Sequence, residues 1–259
     1  MRFHNRALAY NSVRKSDPRL TSVLVGLSDL KKGDVVADIG AGTGNYSIEF
    51  HRRGYNVIAV EPEADMWEQC NNKEIEWVKS TVEEMELSNR TVDAAIAINA
   101  IHHFSNLKRA LQAIFRIIKS GPLLIFTLDP AVARQTWLYD YWPSIGQYHN
   151  EHYISIEQLM LTLGQVFSSR VDSTVFEIPH DYKDVFSLAA WKSPHILLDR
   201  NSRAAMSAFN YITPNDEENG VAKLRNDLLD GNWEKKYSDI LEKDSLDVGC
   251  RILCVKKEI

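Results

Sequence analysis

Between residues 35 and 129 the apolar positions gather into short blocks separated by mixed segments. "VVADI" (35–39), "NVIAVE" (56–61), "IEWVK" (75–79), "VDAAIAIN" (92–99) and "PLLIFTLD" (122–129) are strand-sized runs rich in β-branched and aliphatic residues. The segments between them carry helix signals. "NYSIEFHRRG" (45–54) closes on Gly54, "PEADMWEQC" (62–70) opens with proline at a helix start, and "NLKRALQAIFRIIKSG" (106–121) is amphipathic and stopped by Gly121. Strands that read as nearly continuous apolar runs are covered on both faces, and their alternation with helices requires right-handed crossovers. The pattern predicts a doubly wound, mostly parallel α/β domain.

After Asp129 the texture changes. "WLYDYWPSIGQYHNEHY" (137–153) is crowded with aromatic residues, "SIEQLMLTLG" (155–164) reads as a helix capped by Ser155, and "RVDSTVFEIP" (170–179) reads as a sixth strand. From His180 to about Leu246 the pattern is helical and polar, broken by Pro194, Pro214 and "DGNW" (230–233), before "DVGCRILCVKK" (247–257) returns to strand character. The expected organisation is a seven-stranded sheet in four stretches. Residues 1–130 form the core with an N-terminal helical cover, and 131–179 an acceptor-site segment with the sixth strand. Residues 180–246 form a helical cap over one edge of the sheet, and 247–259 the last core strand.

Composition narrows the picture. A chain of 259 residues with 44% hydrophobic and 10% aromatic content can bury a full core. Its apolar runs fall far short of the roughly 20 residues that a membrane span needs. The N-terminal "MRFHNRALAYNSVRKSDPRL" lacks the apolar stretch of a secretory signal, so a soluble, cytoplasmic protein with no membrane partner is expected. The formal net charge is −5 and the basic residues are scattered, which argues against a nucleic-acid partner. Cys70, Cys250 and Cys254 form no C-x-x-C pair and lie beside no metal-spaced histidines, so reduced thiols and no metal are expected. The expected state is a monomer or a homodimer.

The chemistry begins at "VVADIGAGTGNYSIEF" (35–50). Glycines that follow a strand let backbone approach a ligand closely, and the N–H groups opening the next helix then face it. A dinucleotide fingerprint is G-x-G-x-x-G. Here Gly40, Gly42 and Gly44 follow G-x-G-x-G, with Asn45 next. Asp38, at the end of the first strand, directs a carboxylate across the loop mouth, which suits a cationic amino group better than a pyrophosphate. Glu61, at the end of the second strand, can accept from both hydroxyls of a ribose. Together they describe an amino-acid-bearing nucleoside.

"ADIGAGTGNYS", "AVEPEADM", "STVEEMELSNRTVDAAIAINAIHHF" and "LLIFTLDP" resemble the four successive motifs of class I S-adenosylmethionine-dependent methyltransferases. They are most similar to the small-molecule branch that includes ubiquinone-biosynthesis-type and trans-aconitate-type enzymes, and they cover residues 35 to 130 in order. The resemblance implies a Rossmann-like fold, S-adenosylmethionine as cofactor and S-adenosylhomocysteine as product. It implies that Asp38 contacts the methionine amino group, that Gly40, Ala41, Gly42 and Gly44 let the methionyl chain lie on backbone, and that Glu61 holds the ribose. Pro62 and Met66 would pack on the adenine, Thr81 and Val82 would meet its edge, and Asn99 with Ala100 would lie beneath the sulfonium. Thr81 departs from the aspartate that many relatives carry there, although the trans-aconitate-like branch often has threonine. In similar enzymes the N-terminal stretch folds over the cofactor, which places Tyr10 there and pairs Arg14 with the methionyl carboxylate.

Beyond the cofactor the residues leave alternatives open. His102 and His103, after the fourth strand, are either general bases for a hydroxyl or amine or packing groups at the sheet edge. Trp137, Tyr139, Asp140, Tyr141, Trp142 and Tyr148 either line an acceptor pocket or bury a joint between sheet and cap. His180, with Asp181 and Tyr182, opens the cap and joins the acceptor set. The expected function is transfer of the sulfonium methyl group to an O, N or C nucleophile of a small molecule. The alternatives are a non-catalytic S-adenosylmethionine-binding regulator and, less well matched by the glycine spacing, a nicotinamide-dependent oxidoreductase.

Overall fold

The computed structural model describes Tyr10 and residues 13–257. These residues group into two compact units. A sheet unit comprises 16–128, 154–174 and 251–257, and an aromatic unit comprises Tyr10, 13–15, 129–153 and 175–250. The division runs through the 131–179 segment, whose first part lies in the aromatic unit and whose later helix and strand lie in the sheet unit.

The strands are β1 (Val35–Ile39), β2 (Asn56–Val60), β3 (Glu76–Val78), β4 (Ala94–Ile98), β5 (Pro122–Leu128), β6 (Val171–Val175), β7 (Ile178–Pro179), β8 (Ser245–Leu246) and β9 (Cys250–Lys256). Seven of them form one sheet in the order β3-β2-β1-β4-β5-β9-β6. The β1–β2, β1–β4, β2–β3 and β4–β5 pairs are parallel. The order reverses at β1, between β2 and β4, and such a switch point opens a crevice at the carboxyl ends of the strands. Asp38 lies opposite Ala59 on one side and Ile96 on the other, which puts its carboxylate at that point.

Helices α1 (Pro18–Ser28), α2 (Asn45–Arg52), α3 (Leu107–Ile117) and α4 (Ile156–Phe167) belong to the sheet unit. Their starts are read easily from the side chains. Asp17, Asn106 and Ser155 each accept from a backbone N–H in the first turn. Helix α3 buries Ala110, Leu111, Ile114 and Ile117 in one cluster with Ala95, Ala97, Leu123 and Ile125 of the sheet and Leu159, Leu163 and Phe167 of α4. Each fully buried Leu or Ile contributes about 1.5–3 kcal/mol. The small alanines of β4 let the helix settle close to the strands.

Three local expectations are corrected. The helix expected to open at Pro62 runs only over Ala64–Trp67, with Glu63 at its N-cap, so Pro62 precedes it. Helix α3 ends at Ile117 because Ile118 turns extended and bridges to Val92. Gly121 serves a different purpose, since a Cβ there would lie 1.9 Å from the Asp93 carbonyl oxygen. The 170–179 run splits, with β6 joining the main sheet while β7 pairs antiparallel with β8.

The aromatic unit has its own core. Trp142, Trp191 and Trp233 are fully buried. Helix α5 (Pro214–Leu229) carries Gly220, where a Cβ would lie 2.1 Å from the Trp142 indole nitrogen. The Trp137 ring stands edge-on to Trp233 at 5.5 Å, and Trp142 stands edge-on to Phe209 at 5.1 Å. Such edge-to-face pairs each add about 0.5–1.5 kcal/mol beyond area burial.

Candidate active site

The chain leaves β1 at Ile39, turns through 40–44 and enters α2 at Asn45. Gly40, Gly42 and Gly44 hold φ of +71°, +58° and +77°, a region that side chains with a Cβ enter at a cost of about 1–2 kcal/mol. Space requires glycine as well. A Cβ on Gly40 would lie 2.6 Å from the Ala100 Cβ, and one on Gly44 would lie 3.1 Å from the Trp77 ring. The Gly40 and Ala41 N–H groups donate to the Val60 carbonyl at 2.8 and 3.1 Å. Glu61 completes the hold, its Oε2 accepting from Gly42 N–H at 2.9 Å and its Oε1 from Glu63 N–H at 3.0 Å.

Asp38 is 2% exposed and accepts a 2.6 Å hydrogen bond from Ser47 Oγ in the first turn of α2. Burial pushes its carboxyl up to about 6, Ser47 pulls it back, and the nearby Glu61 carboxylate adds to the rise. Two buried acids thus flank a loop of bare backbone. Nearby, Asn99 at the end of β4 has φ of +51°, and its Nδ2 is buried without a hydrogen-bond partner. Ser80 Oγ, just after β3, is in the same condition. An unsatisfied buried donor costs about 1–3 kcal/mol, which a bound group relieves. The cradle fits an amino-acid-bearing nucleoside. Its ammonium would meet acids, its chain would lie on glycine backbone, and open polar atoms would remain at the rim.

The other expected cofactor residues of the sheet unit lie on the same carboxyl edge. Pro62 is exposed and Met66 half-buried, after β2. After β3, exposed Thr81 sits at the N-cap of the turn Val82–Glu84, and Val82 is buried. After β4 come buried Ala100 and the turn Ile101–His103, with His102 half-buried, His103 exposed and their rings 4.0 Å apart. Four adjacent strand ends therefore carry these residues. Among the described residues no three His, Cys, Asp or Glu side chains converge as metal ligands.

The expected acceptor residues belong to the aromatic unit, where most of their polar atoms are engaged internally. Trp137 Nε1 donates to the Trp191 carbonyl at 2.7 Å, Tyr141 Oη to Asp227 at 2.7 Å and Trp142 Nε1 to the Glu217 carbonyl at 3.2 Å. Asp140 accepts from Lys236 at 2.6 Å and from Tyr237 at 2.7 Å. His180 is exposed, and its backbone N–H donates to Asp244. The Arg14 guanidinium grips the Asp184 carboxylate through Nε and Nη2 and lies 4.9 Å from the Tyr10 ring centre. Sequence reasoning missed this partner, and it also missed His149. Tyr139 Oη and His149 Nδ1 are 2.6 Å apart, and burial, with His152 beside it, pulls the imidazole down to about 4, so it is neutral at pH 7. The one available signal was Gly146 inside the helix Pro143–His152, where a Cβ would lie 3.2 Å from the Tyr139 ring.

Known proteins share the fold. Residues 37–126 match the family model described as a methyltransferase domain. A solved structure from Anabaena variabilis ATCC 29413, assigned to the methyltransferases of an antibiotic biosynthesis pathway, is 35% identical. It superposes with a TM-score of 0.90 over 94% of this chain and 98% of its own. The chain belongs to the class I S-adenosylmethionine-dependent methyltransferases. Its cofactor is S-adenosylmethionine. Among curated relatives, the methyltransferase is 24% identical over 178 residues to the malonyl-[acyl-carrier protein] O-methyltransferase of Yersinia pestis, covering 68% of this chain and 66% of that one. It is 29% identical over 101 residues to the ubiquinone biosynthesis O-methyltransferase of Rickettsia akari (strain Hartford), covering 36% of this chain and 40% of that one. The matches thus span two thirds or less of these curated relatives.

Proposed function

We propose that the methyltransferase transfers the methyl group of S-adenosylmethionine to a nucleophilic O, N or C atom of a small-molecule acceptor. The observation that carries this reading is the loop Gly40–Gly44 clamped by Glu61 beside buried Asp38, on the edge where four parallel strands end. When bound, the sulfonium supplies an activated methyl group. The protein's part is to bind and orient. Asp38 faces the amino group, Gly40, Ala41, Gly42 and Gly44 seat the chain, and Glu61 accepts from the ribose. Pro62 and Met66 flank the adenine, Thr81 and Val82 meet its edge, and Asn99 and Ala100 floor the reacting end. Tyr10 and Arg14 remain on the N-terminal cover, with Arg14 anchored by Asp184.

In-line displacement gains chiefly from proximity and orientation, and a base is needed only by an acceptor that enters protonated. His102 and His103 stand after β4 for that role. Trp137, Tyr139, Asp140, Tyr141, Trp142 and His180 remain the acceptor set, with Tyr139 distinguished by its bond to neutral His149. No helix of the described residues is long and apolar enough to cross a membrane. We read the enzyme as cytoplasmic, acting on a small molecule as a monomer or homodimer.

Incubation of the purified protein with deuteriomethyl-labelled S-adenosylmethionine and a metabolite extract tests the reading by mass spectrometry. The expected result is at least one extract component carrying a single labelled methyl group, with S-adenosylhomocysteine formed in equal amount. Saturable cofactor binding with no labelled product would instead identify a binding protein.

A further inference from the structure

The corner after β4 combines three features in one residue. Asn99 N–H donates to the Phe126 carbonyl at 2.9 Å, so the ladder to β5 continues to this point before the chain turns. The turn takes Asn99 to φ of +51°, a conformation that asparagine tolerates better than most residues but that is still uncommon. Ala100 then packs into the space that a Gly40 side chain would fill, which pins the corner beside the glycine loop. The Asn99 side chain could have turned to a local backbone acceptor, as asparagine in such turns often does. Instead its Nδ2 is buried and bonded to nothing. A left-handed backbone and an unsatisfied buried donor are each costly, and their coincidence at a ligand edge points to a group that arrives later.

We propose that Asn99 is an acceptor-binding residue whose Nδ2–H donates to the acceptor's nucleophilic atom, and that this atom is an oxygen of a hydroxyl, enol or carboxyl group. The inference rests on the methyl-transfer reading above and names its substrate class. Lone-pair arithmetic selects the element. An oxygen that accepts from Asn99 keeps another lone pair for the methyl carbon. A neutral amine has one lone pair, and a bond from Nδ2–H would occupy it. A carbon nucleophile offers no comparable acceptor. In the transfer, an oxygen lone pair forms the new O–C bond as the methyl C–S bond breaks, and the electron pair of that bond stays on sulfur. A hydroxyl's proton leaves to solvent, and a carboxylate has none to lose.

Two substitutions test this. Asn99→Gly removes the amide while permitting the same φ, and Asn99→Asp keeps the shape while exchanging a donor for an acceptor. Each variant is titrated with S-adenosylhomocysteine by calorimetry. Each is then assayed for methyl transfer from tritiated S-adenosylmethionine to catechol, benzyl alcohol, benzoate and benzylamine. The expected result is transfer to an oxygen probe and none to benzylamine in the parent. Asn99→Gly should lower the transfer about tenfold or more, as loss of one hydrogen bond to a polar or charged group implies, and Asn99→Asp should lower it further. Asn99 floors the reacting end of the cofactor through its backbone, which both variants keep, so both should bind S-adenosylhomocysteine within about threefold of the parent, well below the tenfold step that a lost ligand contact gives. A tenfold loss of that affinity in Asn99→Gly would make the Asn99 amide a cofactor ligand and overturn the inference, as would preferred transfer to benzylamine or unchanged oxygen transfer in Asn99→Gly. Transfer to none of the probes by a parent that binds S-adenosylhomocysteine would count against small-molecule methylation itself. The oxygen assignment would fall with it.

Discussion

The ligand edge of the sheet unit and the aromatic unit treat their acids in opposite ways. On the edge of the sheet unit, Asp38 is buried against Ser47 and beside a second carboxylate, that of Glu61. In the aromatic unit, the Asp184 carboxylate meets the Arg14 guanidinium, that of Glu217 meets Arg203 and that of Asp140 meets Lys236. A surface prepared for a ligand keeps a carboxylate without its counter-ion at a cost in stability, whereas a scaffold pairs its acids. The contrast separates a binding edge from a scaffold, and substitutions can test it from either side.

The largest expected effect is on the scaffold. Arg14 and Asp184 side chains are 8% and 3% exposed, so Asp184→Ala removes the carboxylate that a buried guanidinium grips and should lower the unfolding free energy by about 3–5 kcal/mol in urea denaturation. If Asp184→Ala left stability intact, the pair would not belong to the scaffold and the contrast would fail there.

Next comes the loop. Gly40→Ala meets both the positive φ and the Ala100 contact. Overpacking of this kind costs about 1–3 kcal/mol, and since it falls on the loop it should weaken S-adenosylhomocysteine binding by about tenfold to a hundredfold in calorimetry. Adding Ala100→Gly should restore part of the affinity, because it removes the atom that the new Cβ strikes.

Asp38 gives a smaller effect with a definite sign. Its folded-state pKa of about 6 exceeds its unfolded value near 3.8, so its contribution to stability is full below about 4 and is lost as pH rises through about 6. An arriving ammonium favours the ionised form. Affinity for S-adenosylhomocysteine should therefore rise between about pH 5 and 7 and level off above. Asp38→Asn should flatten that profile, weaken binding, and raise the melting temperature of the free protein at pH 8. A variant that lost both affinity and stability at pH 8 would place Asp38 with the scaffold.

The smallest effect concerns Tyr139. Removing its hydroxyl in Tyr139→Phe leaves His149 Nδ1 unpaired and should cost about 0.5–1.5 kcal/mol in denaturation, with S-adenosylhomocysteine affinity unchanged.

Legibility in the sequence follows the same divide. The first five strands were readable because parallel strands buried on both faces appear as continuous apolar runs, and the glycine loop was readable because backbone geometry restricts its residue types. Asp38 and Glu61 follow from their positions at strand ends. What Glu61 does to the loop, holding Gly42 N–H, has no signature in sequence. The aromatic unit was legible only as composition. Arg14 meets Asp184 across 170 positions and Trp137 meets Trp191 across 54, distances at which no local period operates. Gly121 and Gly220 misled or passed unnoticed for a related reason. Each admits another group closely, the Asp93 carbonyl or the Trp142 ring, and a glycine in sequence does not name what approaches it.

The central claim is that Asp38 and Glu61, with the loop between them, hold the cofactor. Calorimetric titration of the parent and of the Asp38→Ala, Glu61→Ala double variant with S-adenosylhomocysteine, with NADH as control ligand and circular dichroism to check the fold, tests it most directly. The expected result is saturable binding of S-adenosylhomocysteine alone by the parent and a loss of about a hundredfold or more in a folded double variant. Equal affinity in the two proteins, or binding of NADH in place of S-adenosylhomocysteine, would contradict it.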